Sequence, residues 1–341
     1  MSLFLDAARG ADTQQAPVWI MRQAGRYLPE YRALKERYSF WELCRTPELV
    51  LEITLQPIRR FGFDAAILFS DIMTPLPPMG VEIDFSPGPV FRNPLRTEAQ
   101  IDALRLPTQE EIAPFVVDAV HLIRSEANVP LIGFAGAPLT LATYMVQGGG
   151  SKDYATFRQF LRQVPEGAHR LLEALTEVTI RYLRAQVEAG VQAVQLFDSW
   201  AGLHDANTYR EFSKPYNRRV FEALAESGVP RIYLAVNSLH LYDEITELPC
   251  EVVSVDWRVP LSTVRELLPS KTLQGNLDPA NLLAPEEHLL REVDRVLLEG
   301  LGGPHIFNLG HGIFPQTDPD NVERLVERVR AFDRLRAEGK P

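Results

Sequence analysis

Cysteine is nearly absent from this chain of 341 residues. The two that occur, Cys44 and Cys250, lie far apart and in no metal-ligand spacing. A disulfide framework is therefore not expected, and a reducing cytoplasm is the natural compartment. Histidine is sparse as well. The 7 histidines are scattered, and neither His-x-x-x-His nor His-Glu-x-x-His occurs, so the sequence offers no metal-hydrolase ligand set. No apolar run is long enough to cross a bilayer. Met1 to Gln15 has neither the basic start nor the apolar centre of a signal peptide. Excess positive charge is missing too: the net charge is -10 and no basic tail is present, which argues against a general nucleic-acid binder. A P-loop and a Gly-x-Ser-x-Gly elbow are absent. The expectation is a soluble, cytoplasmic protein that needs no metal.

What the chain does have is apolar material in a regular order, with 45% hydrophobic residues. Eight short runs read as strands: 18–21, 65–69, 130–135, 193–197, 232–236, 252–255, 271–274 and 305–309. They are near-continuously apolar, as strands buried on both faces of a parallel sheet must be. Helix signals fall between them. Thr46-Pro47-Glu48, Asp278-Pro279 and Asp318-Pro319 each place a capping side chain before a first-turn proline. Residues 155–189 are long enough for two helices broken at Pro165. The last helix, expected over 321–338, is amphipathic through Val322, Leu325, Val326, Val329 and Phe332. This alternation predicts an α/β chain folded as a single (β/α)8 TIM barrel over 1–341. A doubly wound open sheet is the alternative, and the missing Gly-x-Gly-x-x-Gly turn weakens it.

One connection is unusually long, a β2-α2 insertion at about 72–128. It contains a possible hairpin through Val81–Asp84 and Val90–Arg92 and a helix over 110–127, and such insertions shape ligand clefts. Gly148-Gly149-Gly150 follows a helical stretch and reads as a helix stop before a Ser151 cap.

Polar residues gather where the strands end. Met21 to Tyr31 presents Arg22 and Arg26 around Gly25, either as a fork for carboxylates or phosphates or as a solvated loop paired with acids such as Glu30. Ser70-Asp71, Thr140 and Tyr144, Asp198-Ser199, Asn237-Ser238, Asp256, Asn276 and Asp278, and Gly310-His311-Gly312 follow later strands. A barrel would collect all of these on its C-terminal face. Asp71 and Asp198 could equally cap local turns, and Tyr144 could be a core aromatic. Taken together, the set suits an anionic ligand and chemistry run by electrostatics and proton transfer.

These stretches resemble the uroporphyrinogen decarboxylase family. The segment 17–31, with Met21-Arg22-Gln23-Ala24-Gly25-Arg26-Tyr27, carries the likeness most clearly, and 133–145 running into the triple glycine is similar. Phe69-Ser70-Asp71, Phe197-Asp198-Ser199, Gln274-Gly275-Asn276 and Leu309-Gly310-His311-Gly312 follow in the family's order. The resemblance implies a barrel, a homodimer with facing clefts, and a cofactor-free decarboxylation of the four acetates of uroporphyrinogen. It places Arg22, Gln23, Ala24, Gly25, Arg26, Asp71, Tyr144, Ser199 and His311 at substrate, with Asp71 on the pyrrole N–H groups and Arg22, Tyr144 and His311 near the proton transfer. Arg22 as sole donor is unattractive because arginine gives up its proton poorly. The segment 234–238 and Arg258 depart from the family pattern, which puts rim contacts in question. Two rivals frame the expectation. A corrinoid-linked methyltransferase would want a His-x-Cys pair and a later cysteine, which are lacking. A non-catalytic tetrapyrrole carrier would keep the arginines but not need the buried carboxylate.

Overall fold

Strands this apolar cannot leave either face in water, and in the computed structural model, which describes residues 2–85 and 88–337, they curl into one parallel sheet. In chain order the strands are β1 (Ala66–Ile67), β2 (Ile83–Phe85), β3 (Pro89–Phe91), β4 (Leu131–Gly136) and β5 (Ala193–Asp198). They continue with β6 (Arg231–Ala235), β7 (Val252–Ser254), β8 (Thr272–Leu277) and β9 (His305–Leu309). The parallel sheet runs β1-β4-β5-β6-β7-β8-β9, and β2 and β3 form a separate antiparallel hairpin. Helices cross over between neighbours, and the 25-residue helix Pro165–Ala189 is the longest.

The eighth position of the barrel is filled thinly. The stretch expected as a strand at 18–21 makes one parallel bridge, Val18 to Phe307 of β9. Toward β1 one backbone bond, Asp64 N donating to the Val18 carbonyl at 2.9 Å, is supplemented by side chains. Asp64 Oδ2 accepts from Val18 N at 2.7 Å, and Gln23 spans the gap by accepting from Ile20 N and donating to the Ala65 carbonyl. The barrel interior is partly polar: Trp19 Nε1 donates to Gln274, whose amide donates to Gln195 and Ser254. Apolar strands alone do not announce that layer.

Several helix signals act as expected. Pro47–Phe61 starts at its proline, although the Thr46 side chain makes no capping bond. Asp278 caps the turn Pro279–Leu283, and Pro165 divides Ala155–Gln163 from the long helix. The terminal helix runs Pro319–Ala337, and its five named apolar residues are buried; residue 338 of the expected helix lies outside the described residues. The helix expected over 110–127 is two, Gln109–Ile112 and Pro114–Glu126, because Pro114 opens a new first turn. Gly148 does end its helix, at φ 93, but Ser151 is not the next cap: its hydroxyl accepts from Tyr154 N, and the helix begins at Ala155. No helix among the described residues is long and apolar enough to cross a membrane.

Candidate active site

The loops leaving the strands' C-terminal ends surround a cavity of about 820 Å³, within the range of small-molecule sites. Arg22, Ala24, Gly25 and Arg26 line it from the loop after the Val18 bridge, and Asp71 from the loop after β1. Tyr144 enters from the helix Pro138–Gln147, Ser199 from the end of β5 and His311 from the end of β9. Gln23 is brought elsewhere. Its side chain is fully buried and committed to the seam between the first position and β1, so it holds the loop in place instead of facing the cavity.

The two arginines are exposed at the mouth of the cavity, and Glu30 does not pair with them, because it pairs with Arg60 at 2.8 Å. Arg22 adopts φ 64, a left-handed conformation uncommon for a residue with a side chain. The opposite loop leaves room for it: a Cβ on Gly312 would sit 2.4 Å from Arg22 Cδ. Gly25 is constrained from within its own loop, since a Cβ there would meet the Arg22 carbonyl at 3.0 Å.

Asp71 is half-buried, with the cavity as its open side. It accepts from Met73 N at 2.9 Å. Burial raises its pKa, while that bond and the nearby Arg22 charge pull it down. The result is an under-solvated carboxylate, which a cation placed beside it would stabilise. His311 behaves in the opposite sense. Burial, then Arg22 and Arg258, push it down to about 4, so it is neutral near pH 7. Burial also raises the Tyr144 phenol, against the opposing effects of Tyr154 and Trp200.

Other strand-end residues serve the scaffold. Asp198 is fully buried beneath Ser199 and accepts from Thr140, Ser213, Tyr233 and Asn217 at 2.7–3.0 Å. Asp256 accepts from the backbone N–H groups of Asn237 and Arg258. Asn276 donates to the Asp256 and Val259 carbonyls. The two departures from the family pattern therefore meet in one place behind the cavity. Arg258 lies 3.8 Å over the Trp257 ring, and Trp257 meets the His311 ring edge-on at 5.9 Å. Sequence reasoning missed Lys35, Tyr38, Phe40 and Phe85, which line the cavity from the helices after the arginine loop and from the hairpin. Only their position after that loop hinted at it. It also missed the apolar walls Phe134 and Phe197, which pack edge-on at 5.5 Å. Among the described residues no group of three or more His, Cys, Asp or Glu side chains could hold a metal ion, and Cys44 and Cys250 are free and buried.

The family model described as uroporphyrinogen decarboxylase matches residues 1–332. Proteins named uroporphyrinogen decarboxylase from Geobacter metallireducens and from a Geobacillus species are each 48% identical to the chain. The first alignment covers 96% of this chain and 97% of the relative, the second 96% of each. Among solved structures, a methyltransferase from Methanosarcina mazei superposes with a TM-score of 0.82 at 20% identity, covering 96% of this chain and 97% of that one. A B12-independent methionine synthase from a Shewanella species gives 0.59 at 11% identity, over 95% and 96%. At such identities the structural likeness speaks for the fold alone.

Proposed function

The chain belongs to the uroporphyrinogen decarboxylase family, and on that premise we infer that it is a carboxy-lyase that turns the four acetate side chains of uroporphyrinogen into methyls, giving coproporphyrinogen in porphyrin biosynthesis. The observation that carries the site reading is Asp71: a desolvated carboxylate sharing one cavity with Arg22 and Arg26, neither held by Glu30.

A pyrrole acetate loses carbon dioxide once the ring carbon next to the one bearing it takes a proton. The bond to the carboxylate then breaks and its electron pair flows into the cationic ring, leaving a neutral exocyclic methylene. The methylene takes a second proton to become the methyl, and the ring carbon gives up the first to restore the pyrrole. Positive charge exists on the pyrrole only in the two protonated intermediates. Asp71, poorly solvated and aimed into the cavity, interacts more strongly with that cation than with the neutral ring, which is the differential binding catalysis requires. Arg22 and Arg26 hold substrate carboxylates through paired N–H groups, and Lys35 at the same cavity adds charge in an otherwise acidic protein. Ser199 and the neutral His311 are hydrogen-bonding partners. A histidine pushed down to about 4 is a poor acid at neutral pH, so the first proton travels with the carboxylate that Arg22 holds. No residue of this scheme calls on a cofactor.

The same reading includes one barrel domain whose 72–128 insertion walls the cleft, a homodimer with facing clefts, and a cytoplasmic location. The family resemblance supports these, and sedimentation at twice the 38.5 kDa chain mass would test the dimer. The activity itself is tested by anaerobic incubation with uroporphyrinogen and separation of products by carboxylate number. A hepta- to tetracarboxylate series is expected. Tight binding with no product would replace the enzyme with a carrier.

A further inference from the structure

Behind Tyr144 stand two aromatic residues that the scheme above leaves unused. Tyr154 is only 1% exposed, and its ring meets the Tyr144 ring edge-on at 6.0 Å. Trp200, the residue after Ser199, approaches Tyr144 from another side, with centroids 5.8 Å apart. Tyr154 and Trp200 also contact each other at 4.5 Å, so the three rings form one cluster. Two of the three have polar ends with little else to do. The Trp200 indole nitrogen is buried and has no hydrogen-bond partner among the described residues. An indole N–H can only donate, and a buried donor left unmatched is costly.

The cluster is held from outside. Tyr154 has φ 51, in the left-handed region, and its N–H donates to Ser151 Oγ at 3.3 Å. Trp200 N donates to Thr140 Oγ1, which itself donates to the buried Asp198. Thr140 and Tyr144 lie one turn apart on the same helix. The Asp198 hub thus fixes both the helix carrying Tyr144 and the backbone of Trp200.

We propose that Tyr154 and Trp200 are positioning residues: both present donors to the Tyr144 hydroxyl oxygen, which leaves the Tyr144 proton directed into the cavity toward a substrate carboxylate. The hydroxyl has one proton and two acceptor sites. With donors on its protein side it accepts there and donates to the ligand. The hydrogen-bonding effect of both neighbours on Tyr144, which favours its ionised form against burial, agrees in direction. For Tyr154 the same contact works against ionisation, as it must for the donor of the pair. Bonds of this kind are long without ligand and shorten in the reacting complex.

This inference rests on Tyr144 touching substrate, and a double-mutant cycle separates the two. Turnover of uroporphyrinogen is measured for Tyr144→Phe, Tyr154→Phe, Trp200→Phe and the two pairs containing Tyr144→Phe, with thermal midpoints to confirm folding. Tyr154→Phe keeps its ring and loses only the donor, whereas Trp200→Phe loses the donor together with the pyrrole half of the indole, so the Tyr154 cycle is the cleaner of the two. Each is expected to lower kcat about fivefold, the worth of one neutral hydrogen bond, with KM nearly unchanged. In the Tyr144→Phe background the same changes should have almost no effect, because the acceptor is gone. Equal losses in both backgrounds, or no loss in the native one, would overturn the positioning role while leaving Tyr144 at the substrate. Native turnover in Tyr144→Phe alone would overturn the placement of Tyr144 itself.

Discussion

Asp71 accepts a hydrogen bond from the Met73 backbone N–H, and burial raises its pKa against that bond and against Arg22. A fully solvated carboxylate would gain little from a new cation; this one gains a partner it lacks. Asp71→Asn preserves the shape and removes the charge. Binding of an octacarboxylate porphyrin is expected to persist, while kcat falls on the order of 10²–10³, the loss seen when one preorganised electrostatic partner is removed. Single-turnover rates and fluorescence titration would check both halves. Near-native turnover would remove Asp71 from the mechanism. At this scale the sequence was informative about chemistry and silent about direction. Asp71 and Asp198 look alike as acids ending strands, yet one faces the cavity and the other is enclosed by four donors from Thr140, Ser213, Tyr233 and Asn217. Only packing decides that.

Between elements, fit decides function. The loop after β9 leaves Gly312 bare so that the Arg22 side chain can pass, with 2.4 Å to a hypothetical Cβ. Gly312→Ala is expected to displace Arg22 and lower kcat/KM about 10- to 100-fold, the penalty for misplacing a binding group by an ångström. Steady-state kinetics with unchanged circular dichroism would establish it, and native kinetics would show that the arginine has another path. The strands and most helices were legible because apolar runs and proline-led first turns are local signals. The arginine loop was legible through its motif. The first strand, expected at 18–21, forms a single bridge at Val18, because its other edge is held largely by the Asp64 side chain and by Gln23 of its own loop. The division at Pro114 was readable in principle, since proline favours a first turn, but the periodicity runs through it.

Taken whole, the molecule places an arginine-lined cleft in a protein of net charge -10, so any attraction for an anion is local and the surrounding field opposes it. Its response to acid follows from buried histidines. His204 and His305, like His311, are each pushed down to about 4, first by burial. The unfolded chain binds these protons from about pH 6.5 downward, whereas the folded one resists until about pH 4. Their contribution to stability is complete above pH 6.5 and is lost as pH falls toward 4, at up to about 1.4 kcal/mol per pH unit for each of the enclosed pair His204 and His305. Asp64 and Asp71, raised by burial, offset part of this at the acid end. Thermal midpoints from pH 7 to 4 should decline, and His305→Gln should decline less steeply while still able to donate to the Gly275 carbonyl. Parallel curves would show that His305 takes no part.

The barrel has a weakest stave, and the two cavity arginines proposed to hold substrate hang from it. Residues 18–23 are held by one bridge to β9, single backbone bonds to Asp64 and Ile313, and the side chains of Asp64, Gln23 and Asn308, while β4 and β5 are paired over five registers. Amide hydrogens in that stave should exchange with solvent by openings far cheaper than global unfolding. On warming, such openings dislodge Arg22 while the remaining seven strands are still closed. Heat is therefore expected to silence this enzyme by unlatching it, with activity lost at temperatures where its far-ultraviolet spectrum still reads as native.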